Sequence, residues 1–347
     1  MIIREKEPAN LEMPFANLDG FITPNEQFYV RCHFPIPEIE ARDWRLKVEG
    51  AVEHPFELAY NEITRMKTRT ITATLECAGN SRVFLVPKVK GTQWELGAVG
   101  NAEWTGVALA DVLNQAGMKD NACEVILEGA DNGAIPEPPR PAGKIHFARS
   151  LPKAKAMDDV LLAFKMNGEP LPAAHGFPLR AIVPGWYAMA SIKWLERIIV
   201  TEKVFNGYYQ SIDYAHWQQS EAGPALVPIT EMQVKAEIAR PGINEVVRAG
   251  SSYLVAGAAW TSRSEIAKVE LSTDGGAMWQ VVRLIDQPVK NAWQLWEFDW
   301  KTPSKGGHCT LLARASDVRG RTQPDKRDSD RGTYMINHSL PIDVEVR

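Results

Sequence analysis

The 347-residue sequence predicts an α+β fold in two parts, a mixed α/β domain over residues 1–225 and a β-sandwich over residues 226–347. Up to "SEAGPALVP" (220–228), short strand patterns mix with a few helical ones; beyond it, short alternating strands follow one another. In "WQLWEFDWK" (293–301), Trp296, Phe298 and Trp300 share one face of a strand. Such strands, with the Asp274-Gly275-Gly276 turn, are typical of an antiparallel sandwich of immunoglobulin type.

Local patterns place the elements of the first part. "ALADVLNQAG" puts Leu109, Val112, Leu113 and Ala116 on one helical face, and Gly117 ends the helix. Asn167-Gly168 between two apolar runs predicts a tight hairpin. The stretches "FYVRCHFPIP" and "SIKWL" are predicted as strands, and residues 1–27 as an arm lying on the fold.

Composition limits the classes of function. The formal net charge of −4 argues against a general nucleic-acid or anionic-membrane surface. No run approaches the roughly 18 apolar residues of a membrane span, and the N-terminus lacks the apolar core of a signal peptide. We therefore expect a cytoplasmic protein if Met1 is native, with a periplasmic one left open if a signal peptide was removed. The four cysteines form neither a disulfide framework nor a zinc pattern, and the sequence has no C-x-x-C-H haem motif.

Cys77 is the first candidate for chemistry. In "TLECAGNSR" (74–82) it follows a β-branched, apolar strand pattern and precedes a turn at Gly79-Asn80-Ser81. A strand end is a place where a rigid scaffold presents functional groups. The alternative is a small buried hydrophobic residue, which is what most free cysteines are.

Several cations and imidazoles lie inside apolar, strand-like stretches. Each alone has an ordinary explanation, such as an exposed-face cation with a buried stem. Together they predict a deep anion site for a phosphate-bearing cofactor, an anionic substrate or both. The residues are Arg31, His33, His175, Arg180 and Lys193.

Three segments together carry a family resemblance. "LECAGNSR", "HGFPLRAIVPGWYAMASIKWL" and the "TDGGAMW" turn of the β-domain resemble the sulfite oxidase family of molybdenum enzymes, from about residue 20 to the C-terminus. The resemblance implies a molybdopterin-binding domain followed by an immunoglobulin-like dimerisation domain. It also implies a homodimer with one molybdenum-molybdopterin cofactor per chain.

The resemblance also implies a role for each matching residue. Cys77 would ligate the metal through its thiolate, a strong donor to such an ion. The residues that would hold the pterin and its phosphate are His33, Asp131, His175, Arg180, Ser191 and Lys193. The residues that would face the substrate or wall its pocket are Arg31, Tyr214, Arg82, Arg331 and Trp94.

The implied reaction is oxidation of sulfite to sulfate, with electrons passed to an external acceptor such as a c-type cytochrome. Family members that reduce nitrate change the tyrosine and the last arginine; Tyr214 and Arg331 therefore favour sulfite. One departure is Cys32, where the family commonly has asparagine between the arginine and the histidine; alternation points it away from the pocket, into packing. Two alternatives stay open, namely another sulfur or oxyanion substrate, or a non-catalytic relative.

Overall fold

The computed structural model describes residues 1–221 and 223–347. The N-terminal arm contributes two short strands, which pair with a third to form a small sheet in the order β1-β2-β3. These strands are β1 (Ile2–Glu5), β2 (Asn10–Glu12) and β3 (Val30–Arg31). The predicted strand around Arg31 is thus only two residues long, because Cys32 and His33 already turn away from it.

The rest of the first part is built from two five-stranded sheets and three short helices. The strands are β4 (Arg45–Gly50), β5 (Phe56–Ala59), β6 (Thr68–Glu76), β7 (Val99–Ala108), β8 (Glu124–Ala134), β9 (Lys144–Pro152), β10 (Leu161–Met166), β11 (Glu169–Pro170), β12 (Arg180–Ile182) and β13 (Leu195–Thr201). The helices are α1 (Tyr60–Ile63), α2 (Leu109–Ala116) and α3 (Lys153–Ala156). One sheet has the order β11-β10-β7-β6 with β12 against β10, and the other β5-β4-β13-β8-β9.

Two local predictions are confirmed in detail. Helix α2 buries its four predicted apolar residues, and Gly117 ends it with φ of 66°, a left-handed conformation that glycine adopts without strain. Strands β10 and β11 pair as a hairpin across Asn167 and Gly168, whose φ angles of 52° and 82° are both positive. An asparagine-glycine pair suits such a turn because both residues tolerate positive φ.

A hairpin and a two-sheet sandwich make up the second part. The hairpin strands are β14 (Ala215–Ser220) and β15 (Gly223–Pro228), so the predicted boundary at 225/226 falls inside β15. The remaining strands are β16 (Lys235–Arg240), β17 (Val246–Val247), β18 (Ser252–Trp260), β19 (Ile266–Ser272), β20 (Gln280–Val281), β21 (Arg283–Leu284), β22 (Gln294–Lys301), β23 (Gly307–Asp317) and β24 (Ile342–Val346).

The sandwich packs a sheet of order β16-β18-β22-β21 against one of order β17-β24-β23-β19-β20. Large side chains such as Trp260, Trp296, Leu311 and Val344 are almost completely buried in its core. The predicted α+β class with a terminal immunoglobulin-like sandwich is confirmed. Within the described ranges, no helix is both long and apolar enough to cross a membrane.

Candidate active site

A cavity in the first part brings together the predicted site residues, with three exceptions discussed below. Strand ends and loops of both five-stranded sheets, and of the small N-terminal sheet, converge on it. The predicted residues that line it are Arg31, His33, Cys77, Asp131, His175, Arg180, Ser191, Lys193 and Tyr214.

Cys77 follows directly on the last residue of β6, as the sequence predicts. Its backbone N–H donates to the carbonyl of Ala98 at 2.9 Å, and its carbonyl accepts from the N–H of Asn80 at 2.9 Å. The side chain is buried at the cavity wall. Burial raises the pKa of the Cys77 thiol, while the positive charges of Arg31 and Arg82 act in the opposite direction. Without a metal ion, the Cys77 thiol is therefore protonated near pH 7, and a metal ion would displace this proton on binding.

Arg31 and His33 face the cavity, whereas Cys32 between them does not. Cys32 packs with Val30 and Trp194 in a small buried cluster, which confirms its predicted packing role. It also contacts the cofactor residues, because Nζ of Lys193 lies 3.2 Å from its sulfur.

A tyrosine-histidine pair lies beside Arg31. The hydroxyl of Tyr214 lies 2.7 Å from Nε2 of His33, and the His33 ring stacks on Phe147 with 4.5 Å between centroids. Burial moves the pKa of His33 well below its usual range and raises the pKa of Tyr214. Both groups are therefore neutral near pH 7, and the tautomer of His33 decides whether the Tyr214 hydroxyl donates to Nε2 or accepts from it.

Cations and polar loop residues form the other end of the cavity. Nη1 of Arg180 donates to the carbonyl of His175 at 3.0 Å, and Nη2 donates to that of Ser191 at 3.2 Å. Nζ of Lys193 donates to the carbonyl of Ala174 at 3.1 Å. The predicted strand through Ser191 and Lys193 is wrong: both lie in a loop before β13, and Trp194 has a φ of 49°. The loop turns the lysine inward.

Two groups in this region have strongly shifted pKa values. Burial, together with the charges of Arg180 and Lys193, lowers the pKa of His175 to about 3. Burial raises the pKa of Asp131 to about 6, although Lys193 opposes the shift. Asp131 lies in β8 where the pairing with β9 is irregular, so a bulge directs it into the cavity.

Arg82, Trp94 and Arg331 do not line this cavity. Arg82 is buried behind it, donating to the carbonyls of Thr92 and Thr333 at 2.7 and 3.1 Å. The structure places Arg331 outside this cavity, away from its predicted place in the anion pocket. Its Nε lies 3.0 Å from Asp328 and its Nη1 donates to Asn337 at 2.9 Å, in a separate groove.

Trp94 is fully buried and packs edge-on against Tyr29, with 6.4 Å between ring centroids. Tyr29 itself lines the cavity. The predicted pocket-wall tryptophan is therefore one layer behind the wall. The sequence motif around Trp94 does not show whether its ring lines the cavity or packs behind the lining residues.

Four residues at or next to the site were not predicted from the sequence. Tyr29 and Phe147 are cavity walls, and their only signal was an aromatic residue in a strand-like run. Arg149 is fully buried and donates to backbone carbonyls of Tyr209 and Ile229, next to the segment carrying Tyr214. Asn10 hydrogen-bonds Arg31 and gave no local signal at all.

Comparisons with known proteins agree with this arrangement. Residues 33–209 match the family model of the oxidoreductase molybdopterin binding domain, and residues 227–338 match the Mo-co oxidoreductase dimerisation domain. Mitochondrial sulfite oxidase of Mus musculus is 34% identical over 342 residues, covering 93% of this chain. The chain belongs to the sulfite oxidase family of molybdenum oxidoreductases.

Other relatives show the breadth of the family. This sulfite oxidase family member spans 61% of the mouse protein and 58% of the Drosophila melanogaster one, which is 35% identical to it. A nitrate reductase of Brassica napus is 32% identical over 92% of this chain and 38% of its own length. The sulfane dehydrogenase SoxCD from Paracoccus pantotrophus superimposes with a TM-score of 0.84 at 28% identity, covering 97% of this chain and 84% of that one.

The donor set of this family member fits a molybdopterin cofactor. Arg31, Arg180 and Lys193 donate to backbone carbonyls, to Asn10 and to Cys32 rather than to carboxylates. Nε of Arg180 is buried with no hydrogen-bond partner among the described residues. Cations that form no carboxylate ion pair within the described residues can bind an anion such as a pterin phosphate. Cys77 offers the thiolate to the metal from the same cavity.

Proposed function

We propose that this molybdenum oxidoreductase oxidises sulfite to sulfate and passes two electrons to an external acceptor. The observation that carries the proposal is that Cys77 and Arg31 face the same buried cavity. A thiolate for the metal and a guanidinium for an oxyanion are thus brought side by side. The intact set of Cys77, Arg31 and Tyr214 argues against a non-catalytic relative.

The shared cavity supports the roles that the family resemblance implies. His175, Arg180, Ser191 and Lys193 would hold the pterin and its phosphate, and Cys77 would hold the metal. When bound, the molybdenum cofactor supplies the two-electron oxidation of the substrate's sulfur. The chain itself supplies position and charge, and a buried cavity strengthens each electrostatic contact by excluding water.

Arg31 would bind the substrate oxygens. Its Nη1 is held by Asn10 and by the carbonyl of Cys32, so the guanidinium is already oriented. Tyr214 would donate a second hydrogen bond in the His33 tautomer that carries its proton on Nε2, because Nε2–H then donates to the phenol oxygen and leaves the phenol proton for the substrate. One cation and one neutral donor compensate only part of the charge of a dianion, which limits how tightly the product is held.

The acceptor and the assembly are also proposals. We propose that electrons leave one at a time to a separate partner such as a c-type cytochrome; such encounters are usually small and salt-sensitive. The dimerisation-domain match over residues 227–338 supports a homodimer assembled through the sandwich.

Two observations bear on the choice of substrate. Tyr214 lies in the cavity and favours sulfite over nitrate, whereas Arg331 lies elsewhere and no longer contributes to that argument. The similarity to a sulfane dehydrogenase over nearly the whole chain favours a second candidate, oxidation of a sulfane sulfur.

The substrate proposal is tested on purified protein loaded with cofactor. We expect sulfite-dependent reduction of ferricyanide or cytochrome c, and no comparable nitrate reduction with reduced viologen. Thiosulfate in place of sulfite tests the sulfane alternative, and a molybdenum assay on the same sample confirms loading. Strong nitrate reduction without sulfite-dependent reduction of either acceptor would overturn the proposal.

Replacing Arg31 by glutamine tests the substrate site. A charge-assisted hydrogen bond in a dry pocket contributes roughly 1.5–3 kcal/mol, so we expect the sulfite KM to rise about 10- to 150-fold. The matched control is Arg42→Gln, because Arg42 is an exposed arginine of the same domain. Steady-state kinetics with ferricyanide give both constants. An unchanged KM in Arg31→Gln would place this residue outside substrate binding.

A further inference from the structure

The N-terminal arm contacts the proposed substrate arginine through one side chain, Asn10. Strands β2 and β3 pair so that Asn10 lies directly opposite Arg31. Its Oδ1 accepts from Nη1 of Arg31 at 3.3 Å and from the backbone N–H of Cys32 at 2.9 Å. Asn10 is completely buried, so no water competes for these contacts.

Asn10 is itself held from the other side. Its Nδ2 donates to the carboxylate of Glu5 and, at 3.3 Å, to the carbonyl of Pro8. The other oxygen of Glu5 accepts from the hydroxyl of Thr92 at 2.9 Å. A side-chain amide accepts through its oxygen and donates through its nitrogen. Because both atoms of the Asn10 amide have partners, the orientation of the amide is fixed.

The network has a consequence for anion binding. An arginine side chain has several rotatable bonds, and ordering them on binding costs affinity. Here one edge of the Arg31 guanidinium is occupied by Asn10 and the Cys32 carbonyl, which fixes its orientation. Arg31 also lines the wider groove through which Glu5 and Asp213 reach solvent, so a free guanidinium would have carboxylates to swing toward.

We propose that Asn10 is a positioning residue that holds Arg31 toward the cavity for binding small sulfur oxyanions. The proposal rests on the proposed function for the identity of the substrate. It assigns to the arm, which lies outside the matched family region of residues 33–209, a part in substrate affinity. Asn10 touches no reacting atom, so its effect should appear in binding rather than in the rate of the bound complex.

Asn10→Ala removes the acceptor. We expect the sulfite KM to rise roughly 5- to 10-fold, as loss of one ordinary hydrogen bond of about 1–1.4 kcal/mol would give, with kcat within about twofold. Sulfate binding to the same preparation, measured by isothermal titration calorimetry, should weaken by a similar factor. The matched control is Asn17→Ala, because Asn17 belongs to the same arm and is exposed; it should leave both quantities unchanged.

Asn10→Asp covers the case in which the alanine variant fails to fold. Its shape is nearly that of asparagine, but the aspartate loses the hydrogen bond to Glu5 and faces that carboxylate. Its own carboxylate would pair with Arg31 and compete with the anion, so sulfate affinity should fall further. Asn17→Asp adds the same charge at an exposed site and should have little effect. Sulfate affinity in both folded Asn10 variants equal to that of wild type, or a fall in kcat without a change in KM, would overturn the proposal. Absence of sulfite oxidation in the wild type would instead overturn the proposed function, since the calorimetric comparison does not depend on turnover.

Discussion

Replacing Cys77 by serine is expected to abolish sulfite oxidation. Losing even an outer-shell partner of a metal site costs 10- to 100-fold in affinity or activity, so we expect kcat to fall by more than about 100-fold when a ligand itself is replaced. A hydroxyl is a poorer donor than a thiolate and gives the metal a different reduction potential. Ferricyanide reduction measures the activity, and metal analysis gives the molybdenum content per chain.

The control for this variant is Cys123→Ser. Cys123 is half-buried ahead of β8, with its sulfur 3.4 Å from the carbonyl of Thr201, away from the cavity. Serine there should retain turnover and molybdenum. A Cys77→Ser protein that oxidised sulfite at a near wild-type rate would show that the metal is not held by this thiolate.

The roles of the site residues came from the family resemblance, whereas several structural features could be predicted because they are local. Cys77 follows a β-branched, apolar strand pattern that ends just before it, and the chain turns at Gly79 and Asn80. The helix ending at Gly117 and the hairpin at Asn167 were also local problems, in which capping and turn chemistry decide the outcome. Such features depend on neighbours in the sequence, so one stretch is enough to predict them.

The rest depended on contacts between distant segments. Lys193 was expected in a strand because its neighbours are apolar, but tertiary packing places it in a loop with Trp194 at positive φ. Arg331 carries the right motif, yet Asp328 and Asn337 hold it in another groove. Asn10 is 21 residues from Arg31, and nothing in the arm marks it as a partner. Side-chain direction and long-range partners cannot be deduced from one short pattern.

A second hidden contact joins the sandwich to the Cys77 loop. In strand β16, Lys235 lies 3.0 Å from Glu76 and 2.8 Å from Glu237. All three side chains are at most 2% exposed. Ser81 donates to Glu237 at 2.6 Å, and the indole N–H of Trp260 donates to Glu76 at 2.9 Å. Both ends of the loop that carries Cys77 are therefore fixed to the second domain by a buried charged cluster.

Removing the cation should be severely destabilising. Breaking one partner out of a buried ion pair costs about 3–5 kcal/mol, because it leaves an uncompensated charge in the interior. Burial already raises the pKa of Glu237 to about 7, against the opposing effect of Lys235. In Lys235→Met, Glu76 and Glu237 would share the cluster without a cation, so at least one must take up a proton.

We expect Lys235→Met to lower the urea midpoint of unfolding by an amount matching about 3–5 kcal/mol and to reduce molybdenum content. The control is Lys268→Met, because Lys268 is 46% exposed in its pair with Glu270 and its loss should cost at most about 1 kcal/mol of stability.

A triple variant that also carries Glu76→Gln and Glu237→Gln removes the unpaired charges. If unpaired charge causes the loss of stability in Lys235→Met, the triple variant recovers stability. Equal instability of the single and triple variants would assign that loss to packing. A stable Lys235→Met protein with full molybdenum would show that the charged cluster does not hold the Cys77 loop.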